Sequence, residues 1–119
     1  MQNASEKIEI YEQSETPELS IDVVTGPHSG EHWTTDKEHV SIGRSPKNDF
    51  MLGGDVHVSR CHLVLAFMNG CWTVSDSDSC NGTYLKLSSE FCKVVNRVDL
   101  YQDSVVHVGE TSLSLSWVI

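Results

Sequence analysis

The sequence has no long apolar run and no N-terminal targeting pattern. Its longest wholly apolar segment, LVLAFM at residues 63–68, is far shorter than the roughly 20 apolar residues that a membrane-spanning helix needs. The first residues lack a basic start followed by an apolar stretch, so the sequence predicts no secretory signal. At 119 residues, the chain is long enough for one domain with its own core and too short for two.

Basic residues are also scarce. Eight Lys and Arg stand against 17 Asp and Glu, which gives a formal net charge of −9. This balance argues against direct nucleic-acid binding, because such binding depends on Lys and Arg neutralising phosphates. A function that binds anions must therefore use a local basic cluster against an unfavourable overall field.

Cysteine motifs are absent, although four cysteines are present at positions 61, 71, 80 and 92. No pair has the C-x2-C spacing of a zinc knuckle, and the histidines show no metal-ligand spacing, so we expect neither a metal site nor another cofactor. A disulfide framework has no support without a secretory signal. The sequence therefore predicts reduced thiols in an intracellular protein.

No segment of useful length shows helical periodicity. From Leu19 onward, short segments rich in Val, Ile, Thr and aromatic residues alternate with turn-forming stretches. In CHLVLAF, for example, the period of two puts Cys61, Leu63, Leu65 and Phe67 on one face and His62 on the other. About ten such segments predict an all-β sandwich or barrel: LSIDVVT, EHWTTD, HVSIG, DFML, CHLVLAF, CWTVSD, TYLKL, KVVNRVDL, SVVHVG and SLSLSWVI.

The first residues contrast with this pattern. Residues 1–19 hold five Glu and one Lys with few apolar anchors. We predict a flexible acidic tail over residues 1–18 and a single folded domain over residues 19–119.

Three turn-rich stretches carry the polar side chains that suit a site: GRSPKN at 43–48, VSRCH at 58–62 and SCNGT at 79–83. Loops gather at the ends of a sandwich, so these stretches are expected to meet there. None of them contains an Asp or Glu that could act as a general base, whereas guanidinium and hydroxyl donors suit a tetrahedral oxyanion. A serine hydrolase would need an elbow such as G-x-S-x-G, which is absent, so we do not expect an enzyme.

These stretches, in the order IGRSPKNDF, VHVSRCHLVL, WTVSDSDSCNGTYL and QDSVVHVG, resemble a forkhead-associated (FHA) domain. The resemblance runs from about Leu19 to Ile119, and its Gly-Arg, Ser-Arg-x-His and Asn-Gly-Thr motifs follow the family's order and spacing. It implies an eleven-stranded β-sandwich that binds threonine-phosphorylated proteins through loops at one end, commonly in nuclear signalling and DNA-damage proteins.

The resemblance also assigns roles to single residues. It implies that Arg44, Ser59 and Arg60 contact the phosphate and that Asn81 holds the peptide backbone. It implies that Gly43, His62 and Gly82 are structural within the site. The expected rim positions, from which specificity contacts would come, are His57, Lys47, Cys80 and Thr83.

Cys80 departs from the family pattern, because relatives often have Ser or Thr there. A thiol is a weak donor, so we expect one neutral hydrogen bond to the phosphate to be missing and binding to be weaker. The alternative is a divergent FHA-like domain that acts mainly in dimerisation or scaffolding, with a weakened phosphate site.

The tail carries a last candidate. In SETPEL, Thr16 precedes a proline among acids, and Leu19 follows three residues later, as suits many FHA ligands. Phosphorylated Thr16 is therefore a candidate ligand for a second copy of the chain, which would make a homodimer.

Overall fold

The computed structural model describes residues 16–118, and this part of the chain contains eleven β-strands and no helix. No helix that could cross a membrane is therefore found in these residues. The strands, in chain order, are β1 (Leu19–Thr25), β2 (His32–Thr35), β3 (His39–Gly43), β4 (Phe50–Met51), β5 (Leu63–Met68), β6 (Cys71–Asp76), β7 (Thr83–Leu87), β8 (Glu90–Lys93), β9 (Val98–Asp99), β10 (Ser104–Val108) and β11 (Thr111–Trp117).

The strands form two sheets that pack into a sandwich. The six-stranded sheet has the order β2-β1-β11-β10-β7-β8, and the five-stranded sheet has the order β4-β3-β5-β6-β9. The neighbouring strands within these sheets are antiparallel except β3 and β4, which run parallel. The predicted all-β sandwich of about eleven strands is confirmed.

Alternation along the strands builds the core between the sheets. In β1, Leu19, Ile21 and Val23 are buried, while the residues between them point outward, as the period of two requires. In the partner strand β11, Leu113 and Leu115 are buried in register with Val23 and Ile21. The remaining core side chains come from both sheets and their loops: Val40, Ile42, Leu52, Val58, Leu63, Leu65, Trp72, Val74, Leu85, Val94, Leu100, Val106 and Val108.

Three local expectations are wrong. Glu90–Lys93 forms the edge strand β8, which has no apolar alternation because all four residues are exposed. The segment KVVNRVDL is not one strand, because Lys93 ends β8 and only Val98–Asp99 forms the next strand. The strand predicted from Cys61 begins at Leu63, so Cys61 is exposed in the preceding loop and His62, expected on the face opposite the core residues, is buried.

The paired strands also fix which end of the sandwich each loop occupies. At one end of β1, Leu19 pairs with Trp117. At the other end, Thr25 pairs with Ser112 and its hydroxyl donates to the Glu110 carbonyl.

The predicted tail of residues 1–18 lies mostly outside the described residues, and its boundary stays a prediction.

Candidate functional site

Three loops at one end of the sandwich are tied together by backbone hydrogen bonds. The first loop (residues 44–49) follows β3, the second (52–62) follows β4, and the third (77–82) follows β6. The Arg44 and Ser45 N–H groups donate to the carbonyls of Ser59 and Arg60, at 2.9 and 3.2 Å. The Ser77 N–H donates to the His62 carbonyl at 2.8 Å. The loops are therefore one hydrogen-bonded unit.

His62 is the buried centre of this unit. Its Nδ1 accepts a hydrogen bond from the Ser59 N–H at 3.0 Å, so the neutral ring carries its proton on Nε2. Nε2 then donates to the Gly82 carbonyl at 2.9 Å. The ring is fully buried and links the second loop to the third, which agrees with the structural role that the resemblance implies.

Asp76 organises the third loop. Its carboxylate accepts the Ser79 N–H at 2.9 Å and the Ser79 and Thr83 hydroxyls at 2.6 Å each. Burial on its own would raise the pKa of Asp76, but these hydrogen bonds from Ser79 and Thr83 outweigh it and lower the pKa. The loop is thus built around an ionised carboxylate.

Asp55 has the same role in the second loop. It accepts the Glu110 N–H at 2.8 Å, the Thr111 hydroxyl at 2.7 Å and the His57 N–H at 3.1 Å. Burial would raise the pKa of Asp55, yet the hydrogen bonds from Thr111, Glu110 and His57 bring it below the ordinary value. This buried carboxylate fixes the second loop against the turn between β10 and β11.

Close backbone approach joins the first loop to the second. A Cβ on Gly43 would stand 2.2 Å from the Arg60 carbonyl oxygen, so only glycine fits at the end of β3. The same carbonyl accepts from Asn48 Nδ2 at 2.6 Å, and Asn48 also donates to the Ser45 carbonyl. Asn48 therefore holds the loops together rather than pointing at a ligand.

These loops enclose an open groove of about 380 Å³, which we call the loop groove. The predicted residues that line it are Arg44, Ser59, Arg60, Asn81, His57 and Cys80. Four further residues line it that were not predicted as site residues: Val56, Val58, Cys61 and Asp78.

Arg44 and Ser59 have hydrogen-bonding capacity left for a ligand. Arg44 Nε donates to the Val58 carbonyl at 2.9 Å, and the guanidinium forms no ion pair within residues 16–118. The Ser59 hydroxyl accepts the Cys80 N–H at 2.9 Å, which leaves its own proton to donate. The guanidinium of Arg44 is thus held in place, and its terminal nitrogens are available to a ligand.

A guanidinium held beside an available hydroxyl suits a tetrahedral oxyanion. The family model of the FHA domain matches residues 40–109, which include all three loops. The chain belongs to the FHA domain family.

A curated relative and two solved structures illustrate the similarity. The chain is 34% identical over 80 residues to an oxoglutarate dehydrogenase inhibitor of Corynebacterium diphtheriae. The aligned region covers 67% of this chain and 55% of that protein. The solution structure of an FHA domain from an Arabidopsis thaliana hypothetical protein matches with a TM-score of 0.76 at 28% identity, over 87% of this chain and 88% of that one. A structure from a study of phosphothreonine-dependent FHA domain interactions matches with a TM-score of 0.71 at 22% identity, over 86% of this chain and 98% of that one.

The curated relatives are bacterial, and the chain spans about half or less of the length of those it matches. They give no support to the expected nuclear location or to a role in the DNA-damage response.

Two expected rim residues of this FHA domain lie elsewhere. Thr83 is fully buried on the inward face of β7, where its hydroxyl donates to Asp76, so its expected place at the rim is wrong. Lys47 is exposed but does not line the loop groove. Gly43, His62 and Gly82 lie behind the groove, and Gly82 adopts a φ of +89° that favours glycine.

Asn81 and His57 form the side of the groove that faces β10 and β11. Asn81 Nδ2 donates to the His57 carbonyl at 2.9 Å, which leaves its amide oxygen and second N–H available. The His57 ring contacts the carboxylate of Glu110 at 3.3 Å. The structure thus brings Asn81 and His57 beside Ser59, as the resemblance implies.

Sequence reasoning missed the two organising carboxylates, Asp55 and Asp76, and the exposed Asp78 in the groove. Asp78 stands directly before the SCNGT motif and Asp76 stands three residues before it, which is the signal that could have found them. Asp55 lies three residues before the VSRCH motif, but its role shows only in its contact with Thr111, far away in sequence.

A second cavity, of about 650 Å³, lies beyond Asp78 and is lined by residues 94–97 together with Ser75, Asp76 and Asp78. The predicted phosphate- and backbone-binding residues line the smaller loop groove and not this cavity: Arg44, Ser59, Arg60 and Asn81. Among residues 16–118, no group of three His, Cys, Asp or Glu side chains is placed to hold a metal ion.

Proposed function

We propose that this FHA domain is an interaction module that binds threonine-phosphorylated segments of partner proteins in the loop groove. The observation that carries the proposal is the pair formed by Arg44, tethered through Nε to the Val58 carbonyl, and the Ser59 hydroxyl. Family membership supports the same ligand, and so does a structural neighbour whose interactions are phosphothreonine-dependent.

In the proposed complex, the terminal nitrogens of Arg44 pair with two phosphate oxygens and the Ser59 hydroxyl donates to one of them. Arg60 adds a second positive charge, and the free amide groups of Asn81 bind the peptide backbone. The ligand meets loops that already form hydrogen bonds with one another, so little conformational entropy is lost on binding.

Catalysis is not part of the proposal. In a hydrolase, a histidine would accept the proton of the Ser59 hydroxyl. His62 instead accepts the Ser59 backbone N–H, and its second nitrogen donates to Gly82, so neither nitrogen faces the hydroxyl.

A second candidate function is dimerisation or scaffolding with a weakened phosphate site. The observation that favours it is Cys80, which lines the groove where a hydroxyl would add a donor. The two functions differ in whether phosphate on the ligand changes its affinity.

A homodimer through phosphorylated Thr16 belongs to this proposal. β1 spans about 20 Å, and its Leu19 end lies opposite the loops, which sit near Thr25 and Glu110. Thr16 stands three positions before Leu19, a separation of at most about 10 Å, so Thr16 would reach the groove of a second copy and not its own. A monomeric mass for the Thr16-phosphorylated chain at high concentration, or a dimer that persists with Arg44→Ala, would refute it.

The decisive experiment is a calorimetric titration of the chain with a phosphothreonine peptide and with its unphosphorylated twin. We expect measurable binding only of the phosphorylated peptide, and at least a tenfold loss of affinity with Arg44→Ala, since charge-assisted hydrogen bonds contribute about 1.5–3 kcal/mol. Lys47→Ala is the matched control, because it removes a positive charge from the same loop outside the groove. Equal binding of both peptides would contradict the proposal and support the scaffolding function.

A further inference from the structure

Asp78 is a carboxylate in an anion site. It lines the loop groove beside Cys80 and Asn81, with Arg44 and Arg60 on the same surface. Its side chain is exposed and forms no ion pair or hydrogen bond within residues 16–118, in contrast to Asp55 and Asp76. Its backbone φ of +55° places it in the left-handed region, which Asp and Asn tolerate better than most residues.

The charges of the groove leave Asp78 uncompensated once a phosphate is bound. A phosphothreonine carries about −1.5 to −2 at pH 7, which the guanidinium groups of Arg44 and Arg60 neutralise. The His57 ring is occupied by Glu110 at 3.3 Å. The second cavity beyond Asp78 holds Asp76 and Arg97, but Asp76 is engaged by Ser79 and Thr83, and Arg97 is not within ion-pair distance of Asp78.

The occupied groove is therefore negative at Asp78, on a chain whose net charge is −9. An acidic ligand residue near this carboxylate would be repelled, whereas a Lys or Arg would form an ion pair with it. This attraction or repulsion acts on the residues that flank the phosphothreonine and leaves the phosphate contacts unchanged.

We propose that Asp78 is a specificity-determining residue and that the preferred ligands are phosphothreonine segments with a Lys or Arg beside the phosphothreonine. The inference rests on the proposed phosphopeptide function and names the chemical class of its ligand. Acidic flanking residues are disfavoured by the same carboxylate.

The test uses three phosphothreonine peptides that are identical except for lysine, alanine or glutamate at the flanking positions, each measured beside its unphosphorylated twin. We expect the lysine peptide to bind more tightly than the glutamate peptide. Asp78→Asn should reduce the ratio of their affinities about two- to fivefold at low ionic strength, in line with exposed ion pairs, and added salt should reduce it as well.

Asp103→Asn is the matched control. Asp103 is also exposed, with a φ of +64°, and its removal changes the net charge equally, but it lies in the turn before β10 and outside the groove. Asp103→Asn should keep the affinity ratio of the unaltered chain.

Two results would overturn the inference. Phosphate-dependent binding with equal affinity for the lysine and glutamate peptides, or with the same ratio in Asp78→Asn, refutes the role of Asp78 and leaves the proposed function intact. Binding of all three peptides that ignores the phosphate refutes the proposed function and this inference together.

Discussion

At the scale of residues, one atom of Cys80 sets the expected strength of the proposed phosphate site. The Cys80 backbone N–H already donates to the Ser59 hydroxyl oxygen, so this residue is fixed next to the phosphate-binding groups. Its thiol lies in the groove, but a thiol donates hydrogen bonds poorly. Changing sulfur to oxygen alters the donor strength with almost no change in size.

We therefore expect Cys80→Ser to bind a phosphothreonine peptide about three- to tenfold more tightly, because one neutral hydrogen bond contributes about 0.5–1.5 kcal/mol. Calorimetric titration measures the change. Cys61→Ser is the control, since Cys61 is exposed in the same groove but two residues beyond Ser59. An unchanged affinity in Cys80→Ser would show that position 80 does not contact the phosphate.

At the scale of elements, the site depends on how closely the end of β3 approaches the second loop. Gly43 leaves no space for a side chain, and its neighbour Arg44 is thereby placed against Val58 and Ser59. The position of the guanidinium is thus set by backbone packing.

Gly43→Ala is expected to destabilise the fold by about 3 kcal/mol or more, since its Cβ would overlap the Arg60 carbonyl and backbone atoms cannot move aside cheaply. Urea unfolding measures this change. Gly53→Ala, in the second loop, meets its nearest atom at 3.5 Å and should change stability by less than about 1 kcal/mol. Equal stability of the two variants would contradict this account of the loop packing.

The strands could be predicted where one face is apolar, and β1 and β11 follow that pattern closely. β8 could not, because an edge strand with four exposed residues has no buried face to mark it. The groove residues Arg44, Ser59 and Asn81 could be predicted from their motifs. The hydrogen bond from the Thr83 hydroxyl to Asp76 could not, because the two side chains meet only after β6 and β7 have folded.

At the scale of the whole molecule, stability is linked to pH through three carboxylates. The pKa values of Asp49, Asp55 and Asp76 are all lowered in the folded chain, Asp49 mainly by Lys37. A lowered pKa means that the folded state favours the ionised form. The resulting stabilisation is therefore fully present well above the ordinary value of 3.8 and is lost as the pH falls through the lower, folded-state pKa values.

We expect the free energy of unfolding to change little from these groups above about pH 5 and to fall steadily below about pH 4. Asp55→Asn should reduce stability at neutral pH and should flatten the acid decline, because the titrating group is gone. Asp36→Asn, an exposed residue outside the three loops, should keep the profile of the unaltered chain. Urea unfolding from pH 2.5 to 7 supplies the comparison, and an Asp55→Asn profile as steep as that of the unaltered chain would refute the assignment.

The pairing of β1 with β11 brings Leu19 beside Trp117 in the interior of the six-stranded sheet. During synthesis, β1 therefore cannot join the sheet until β11 has been made, since β11 lies between β1 and β10. Closing so long a segment is costly in chain entropy, which slows folding that depends on distant contacts. Asp55 is tied to the same event, because two of its donors, Glu110 and Thr111, stand at the start of β11. The loop groove is consequently completed only after β11 has been synthesised, because Asp55 in the second loop lacks its donors Glu110 and Thr111 until then.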